Sequence, residues 1–74
     1  MGNTKEMITI PINYNARYAI EEYCKVNISP RKYYLHNRVG GIGWSINVSS
    51  KVWTLECDEV HAVLIALKYG VGNG

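Results

Sequence analysis

The sequence predicts a small α+β domain: a two-layer sandwich of order β-α-β-β-β-α, with both helices on one face of an antiparallel sheet. Three observations predict it. Apolar residues recur with helical spacing in two stretches and alternate elsewhere. Two turn signals separate the alternating runs. The chain has 74 residues, enough for one hydrophobic core and not two, so residues 1–74 are read as a single domain.

Met7 to Ile12 alternates, with Ile8, Ile10 and Ile12 on one face, and reads as a strand. Pro11 has no N–H to give a ladder, which places this strand at a sheet edge. It can lie beside the second strand or beyond the fourth; the sequence does not choose. Asn13 or Asn15 then caps a helix whose apolar stripe is Ala16, Ala19, Ile20, Tyr23 and Cys24. Arg17–Glu21 and Glu21–Lys25 are expected as i,i+4 ion pairs on its outer side. Asn27 and Pro30 end it.

From Lys32 the period becomes two. Lys32–Val39, Ile42–Val48 and Val52–Cys57 read as three strands, joined by turns at Gly40-Gly41 and Ser49-Ser50. In that register Tyr33, Leu35, Val39, Ile42, Trp44, Ile46, Val48, Trp53, Leu55 and Cys57 share the inward face, and Asn37 is the one polar residue there. Lys32, Tyr34, His36 and Arg38 then face outward, with Ser45 beside His36. Asp58 caps a last helix with an inward stripe of Val60, Val63, Leu64 and Leu67, and Gly70 closes it. Residues 1–6 and 71–74 are expected to be flexible.

Composition excludes several classes. The chain is 47% hydrophobic and 19% charged, which is not the balance of a disordered chain. Its apolar runs fall short of the ~20 residues that a membrane span needs. No signal peptide is read at the N-terminus, and two cysteines, Cys24 and Cys57, are too few for a disulfide framework. The expected location is therefore the cytoplasm, with both thiols reduced.

Net charge is only +2, but it is unevenly spread. Residues 23–55 contain Lys25, Arg31, Lys32, Arg38 and Lys51 and no acid. Basic residues interleaved with tyrosines and a histidine suit contact with an anionic partner. Lys32, Tyr34, His36 and Arg38 are thus the first candidates for partner binding, with Tyr14 and Arg17 second, since Tyr and Arg are enriched among binding hot spots. The opposing expectation is a solvated strand face kept soluble by its charge.

Catalytic and metal chemistry fit poorly. Cys24, Cys57, His36 and His61 do not converge in the expected register, and no CxxC is present, so no metal and no cofactor are expected. Cys57–His61 and His36–Ser45 are conceivable nucleophile–base pairs, but neither has an orienting third group or a pocket. Gly40-Gly41-Ile42-Gly43 joins strands and lacks the Lys-Ser/Thr of a phosphate loop. No enzyme is expected.

The helix–three strands–helix core resembles a double-stranded RNA-binding domain, which implies the same topology. Where that family carries basic residues at the start of its last helix, this chain reads Cys57-Asp58-Glu59-Val60-His61, which is acidic. The compact chain and its ending, Val52-Trp53-Thr54-Leu55-Glu56-Cys57-Asp58-Glu59-Val60-His61-Ala62 before an apolar helix, resemble small bacteriophage accessory proteins used in host takeover or anti-defence. That resemblance implies a binding protein that occludes a host protein or ribonucleoprotein complex, an anti-CRISPR-like inhibitor for example, acting in the host cytoplasm. Two alternatives stand beside it: a single-stranded nucleic-acid binder using the same face, and a self-associating structural protein pairing through a free edge strand.

Overall fold

In the computed structural model, which describes residues 6–70, one five-stranded antiparallel sheet carries two helices. The elements are β1 (Met7–Pro11), a 3₁₀ turn (Tyr14–Ala16), α1 (Arg17–Asn27), β2 (Arg31–Leu35), β3 (Arg38–Gly41), β4 (Trp44–Ser49), β5 (Val52–Asp58) and α2 (Glu59–Tyr69). The sheet order is β1-β5-β4-β3-β2. The α+β class therefore holds, with one strand more than expected. Four strands, not three, separate the helices, a departure from the double-stranded RNA-binding core. The loose ends expected at residues 1–5 and 71–74 lie outside the described residues. Glu6 is tied down, because its carbonyl accepts from the Glu59 N–H at 3.2 Å.

The first strand occupies an edge, paired with β5, so Pro11 interrupts no central ladder. Ile8 stands opposite Cys57 and Ile10 opposite Leu55, and the Ile12 N–H continues the pairing to Trp53 O at 2.9 Å. The core joins Ile12, Trp44, Ile46, Leu55 and Cys57 of the sheet layer to Ile20 and Cys24 of α1 and to Ala62 and Ile65 of α2. Both helices thus cover the same face, as expected.

The expected strand Lys32–Val39 is two strands. A turn at His36-Asn37 sets Leu35 opposite Arg38 and Tyr34 opposite Val39. The glycines at 40 and 41 lie within β3 instead of forming a turn, and the next turn is Ile42-Gly43, with Gly43 at φ 89°. Close approach explains the glycines. A β-carbon on Gly40 would sit 2.5 Å from Tyr33 Oη and 2.6 Å from the Trp44 carbonyl oxygen. One on Gly41 would sit 2.8 Å from Trp44 Nε1, which donates to the Ser29 carbonyl at 2.9 Å and pins the α1–β2 connection to the sheet. The last hairpin turns at Ser50-Lys51, one residue later than expected.

These changes move residues along the strands by even steps in β3, β4 and β5, which preserves their faces. Ile46 pairs with Val39 and Leu55, and Trp44 with Gly41 and Cys57, so Trp44 and Trp53 both point toward the helices. In β2 the extra turn reverses the faces. Tyr33 and Leu35 lie on the face away from the helices, in rows with Gly40, Ser45 and Glu56, and with Arg38, Asn47 and Thr54. The expected outward row of Lys32, Tyr34, His36 and Arg38 does not exist as a strand face.

Helix α2 is also rotated from its expected setting. Ala62 and Ile65 are buried and Tyr69 half-buried, while Val60, Val63, Leu64 and Leu67 are exposed. No linker separates β5 from α2, so the inward setting of Cys57 and the Asp58 cap fix the helix phase. Of the first helix's stripe, Ile20 and Cys24 are buried, Ala16 and Tyr23 half-buried, and Ala19 exposed.

Candidate functional site

Asn13 opens the site. Its side-chain oxygen accepts from the Asn15 N–H at 3.0 Å and starts the 3₁₀ turn that delivers Arg17 to the head of α1. Arg17 does not reach Glu21 as an i,i+4 partner. Its Nη1 donates to the Tyr14 carbonyl at 2.7 Å, and its guanidinium lies 3.7 Å from the Tyr14 ring centre, 4.3 Å from that of Tyr18 and 5.6 Å from that of Trp53. Tyr14 meets Trp53 edge-on at 5.8 Å. Trp53 faces the helices because it stands opposite Val48. Three aromatic rings thereby hold one arginine in a fixed pose, an electrostatic attraction of the cation to the ring faces.

Glu21 is taken by Arg31 from β2 at 3.4 Å, and Lys25 pairs with Glu22 at 2.8 Å instead of with Glu21. The Glu21–Arg31 bridge ties α1 to the far edge of the sheet. Between helix and hairpin a cleft of about 70 Å³ remains, with Arg17, Tyr18 and Glu21 on the helix side, Tyr34, His36 and Arg38 on the hairpin side, and Ile46, Val48 and Trp53 among its lining. Its one acid, Glu21, is already paired, which leaves Arg17 as the cation facing an incoming group; Arg38 borders the cleft, but its side chain lies with Tyr33 on the far face of the sheet.

Four of the six expected contact residues, Arg17, Tyr34, His36 and Arg38, line this cleft. They meet there for a reason the sequence reading lacked: the β2 face is reversed, so Tyr34 looks toward α1, and His36 sits in the turn beside it. Tyr34 is 70% exposed, with the Arg31 guanidinium 5.2 Å from its ring centre. Arg38 stands 5.9 Å from the Tyr33 ring centre. Tyr14 does not line the cleft and holds Arg17 through its ring and its carbonyl. Lys32 is exposed at the β2 irregularity between Arg31 and Tyr33 and does not line the cleft. Tyr18 and Trp53 were missed as site residues. The signal for Tyr18 was its i,i+4 relation to Tyr14 around Arg17; that for Trp53 lay only in the tertiary fold.

The conceivable nucleophile pairs are not formed. Ser45 is buried in a row with Gly40 and Glu56, whereas His36 is in the hairpin turn. His61 Nδ1 lies 2.7 Å from Asp58 Oδ1, and the Cys57 thiol donates to the Asp58 carbonyl at 3.4 Å. Burial pushes the Cys57 thiol up to about 11 and the Cys24 thiol up to about 12, so both are protonated and poorly nucleophilic near neutral pH. Among the described residues no three His, Cys, Asp or Glu side chains group to hold a metal ion, and no helix is long and apolar enough to cross a membrane.

No protein-family model, curated protein or solved structure matches this chain.

Proposed function

We propose that this protein is a non-enzymatic binding protein that acts by occlusion, receiving an anionic segment of a macromolecular partner in the cleft between α1 and the β2–β3 hairpin. The observation that supports it is the meeting of Arg17 with Tyr18, Tyr34 and Trp53 around one open concavity. Arg and aromatic side chains supply most of the energy at binding hot spots, and Arg17 is already ordered by its rings, which lowers the entropy cost of using it. A phage-encoded inhibitor of a host protein or ribonucleoprotein complex is the concrete form we favour, on the resemblance of the chain to phage accessory proteins.

The test is a triple variant, Arg17→Ala/Tyr18→Ala/Tyr34→Ala, compared with wild type in affinity capture from a bacterial host lysate. Wild type is expected to retain a discrete complex that the folded variant loses. Equal capture by both removes the cleft from the mechanism.

A second reading has its own support. Tyr18 is 66% exposed and Tyr34 70% exposed, and free rings beside arginines suit stacking with the bases of a single strand. It predicts that mixed-sequence oligonucleotides bind at low salt, that affinity falls steeply as salt rises, and that the triple variant abolishes binding. Absence of oligonucleotide binding at low salt eliminates it.

A further inference from the structure

The outer side of α2 carries Val60, Val63, Leu64 and Leu67, spaced i, i+3, i+4 and i+7 on an 11-residue helix. They are 66%, 49%, 47% and 80% exposed. This is the spacing of a core-facing stripe, yet the core is filled by the opposite side of the same helix, through Ala62 and Ile65. The helix is apolar on two sides and covered on one. Nothing in the cleft uses the uncovered side, because the cleft is lined from α1, the β2–β3 hairpin and neighbouring sheet residues.

We propose that this stripe is the homodimer interface, with α2 packing antiparallel against α2 of a second copy about a twofold axis. A twofold contact needs a self-complementary surface, and an apolar stripe on a straight helix is one. Charge chooses the direction. At its surface the helix begins with Glu59, since Asp58 is buried and bound to His61, and ends with Lys68. Antiparallel packing sets Glu59 of each helix near the Lys68 end of its partner and opposes the two helix dipoles; parallel packing sets Glu59 beside Glu59.

Area sets the size class of the contact. Four half- to mostly-bare aliphatic side chains from each copy would cover roughly 800 Å² in total, and the flanking turns bring this to about 1,000 Å², the lower bound for a specific interface. An interface at that lower bound belongs with weak, transient contacts, so the dimer is expected to dissociate on dilution. The cleft is not part of this contact, so each copy presents one cleft and the dimer is bivalent toward a repetitive partner.

Sedimentation velocity from roughly 1 μM to 1 mM protein tests the association. Wild type is expected to shift from monomer to dimer across that range, and Leu67→Glu to stay monomeric with an unchanged far-UV CD spectrum, since this side chain is exposed. Cysteine substitutions test the direction. Leu64→Cys lies next to the twofold axis of an antiparallel pair and is expected to form a disulfide-linked dimer on mild oxidation. Leu67→Cys, about 10 Å from its mate along such a pair at 1.5 Å per residue, is not. The two native thiols are buried and do not compete. A wild-type protein that stays monomeric throughout, a Leu67→Glu variant that still dimerises, or efficient cross-linking through Leu67→Cys overturns the proposal.

Discussion

The guanidinium of Arg17 stacks 3.7 Å from the centre of the Tyr14 ring while its Nη1 donates to the carbonyl of the same residue. One side chain thus closes the entry to α1 and forms part of the cleft wall. Geometry, not charge alone, makes this contact, because a planar guanidinium lies flat on a ring and an ammonium does not. Arg17→Lys keeps the charge and is expected to lose about 0.5–1 kcal/mol of stability. Chemical denaturation of Arg17→Lys and Arg17→Ala checks it. If Lys matches wild type, simple charge suffices and the ring nest contributes nothing.

Gly40 gives a second prediction. The space where its β-carbon would go is bounded by Tyr33 Oη and by the backbone carbonyl of Trp44. The tyrosine tip can swing aside; the carbonyl belongs to the neighbouring strand and cannot. Gly40→Ala is therefore expected to cost more than about 2 kcal/mol, through strand separation in a packed sheet. Adding Tyr33→Ala should not recover the loss. Recovery in the double variant, measured by urea denaturation, would place the clash on the ring instead of on the strand.

Much of this architecture is legible in the residues. The alternation of Ile8, Ile10 and Ile12, the cap at Asp58 and the inward pairing of both tryptophans follow from local pattern alone. The face assignments of β4 and β5 survive a wrong turn position because the error moves each pairing by an even number of residues, and side-chain direction has a period of two. The face of β2 does not survive. Gly40-Gly41 is a strong turn signal by composition, and it hid the weaker one at His36-Asn37. Asn37, the lone polar residue on an otherwise apolar expected face, was the local evidence for a turn there. What a glycine pair is for, a tight bend or the close approach of Tyr33 and Trp44, depends on contacts far apart in sequence. The phase of α2 is similar: Ala62-Ile65-Tyr69 and Val60-Val63-Leu64-Leu67 are both helical stripes, and only the absence of a linker after β5 decides which one is buried. The cleft combines residues from α1, a hairpin and Trp53, so its partial legibility rests on composition, not geometry.

The turn at Ser50-Lys51 provides a third prediction. Both residues have positive φ, 51° for Ser50 and 67° for Lys51. Two successive left-handed residues match the twist of a hairpin but disfavour residues with a β-carbon, by about 1 kcal/mol or more each. Ser50→Asn/Lys51→Gly supplies the residue types this backbone prefers and is expected to stabilise the protein by about 1–2 kcal/mol, raising Tm by roughly 4–16 °C for a chain this short. Differential scanning calorimetry reads it directly. An unchanged or lower Tm would show that the turn carries no strain to relieve.

The two thiols set how the fold responds to alkali. Burial raises Cys24 to about 12 and Cys57 to about 11, and it raises the Tyr23 hydroxyl as well. In the unfolded chain a thiol loses its proton near pH 8.5. Above that pH the unfolded state holds fewer protons than the folded one, so stability falls as pH rises. The thiol contribution is fully present at neutral pH and drains away from about pH 8.5 through the raised values of the two cysteines. Urea denaturation at steps from neutral to strongly alkaline pH is expected to show stability falling progressively across this window. Below it, a thiol reagent such as dithionitrobenzoate should label native protein only as fast as it unfolds. Rapid labelling of both cysteines at neutral pH, before any unfolding, would mean that one or both thiols are open to solvent and that the alkaline loss has another source.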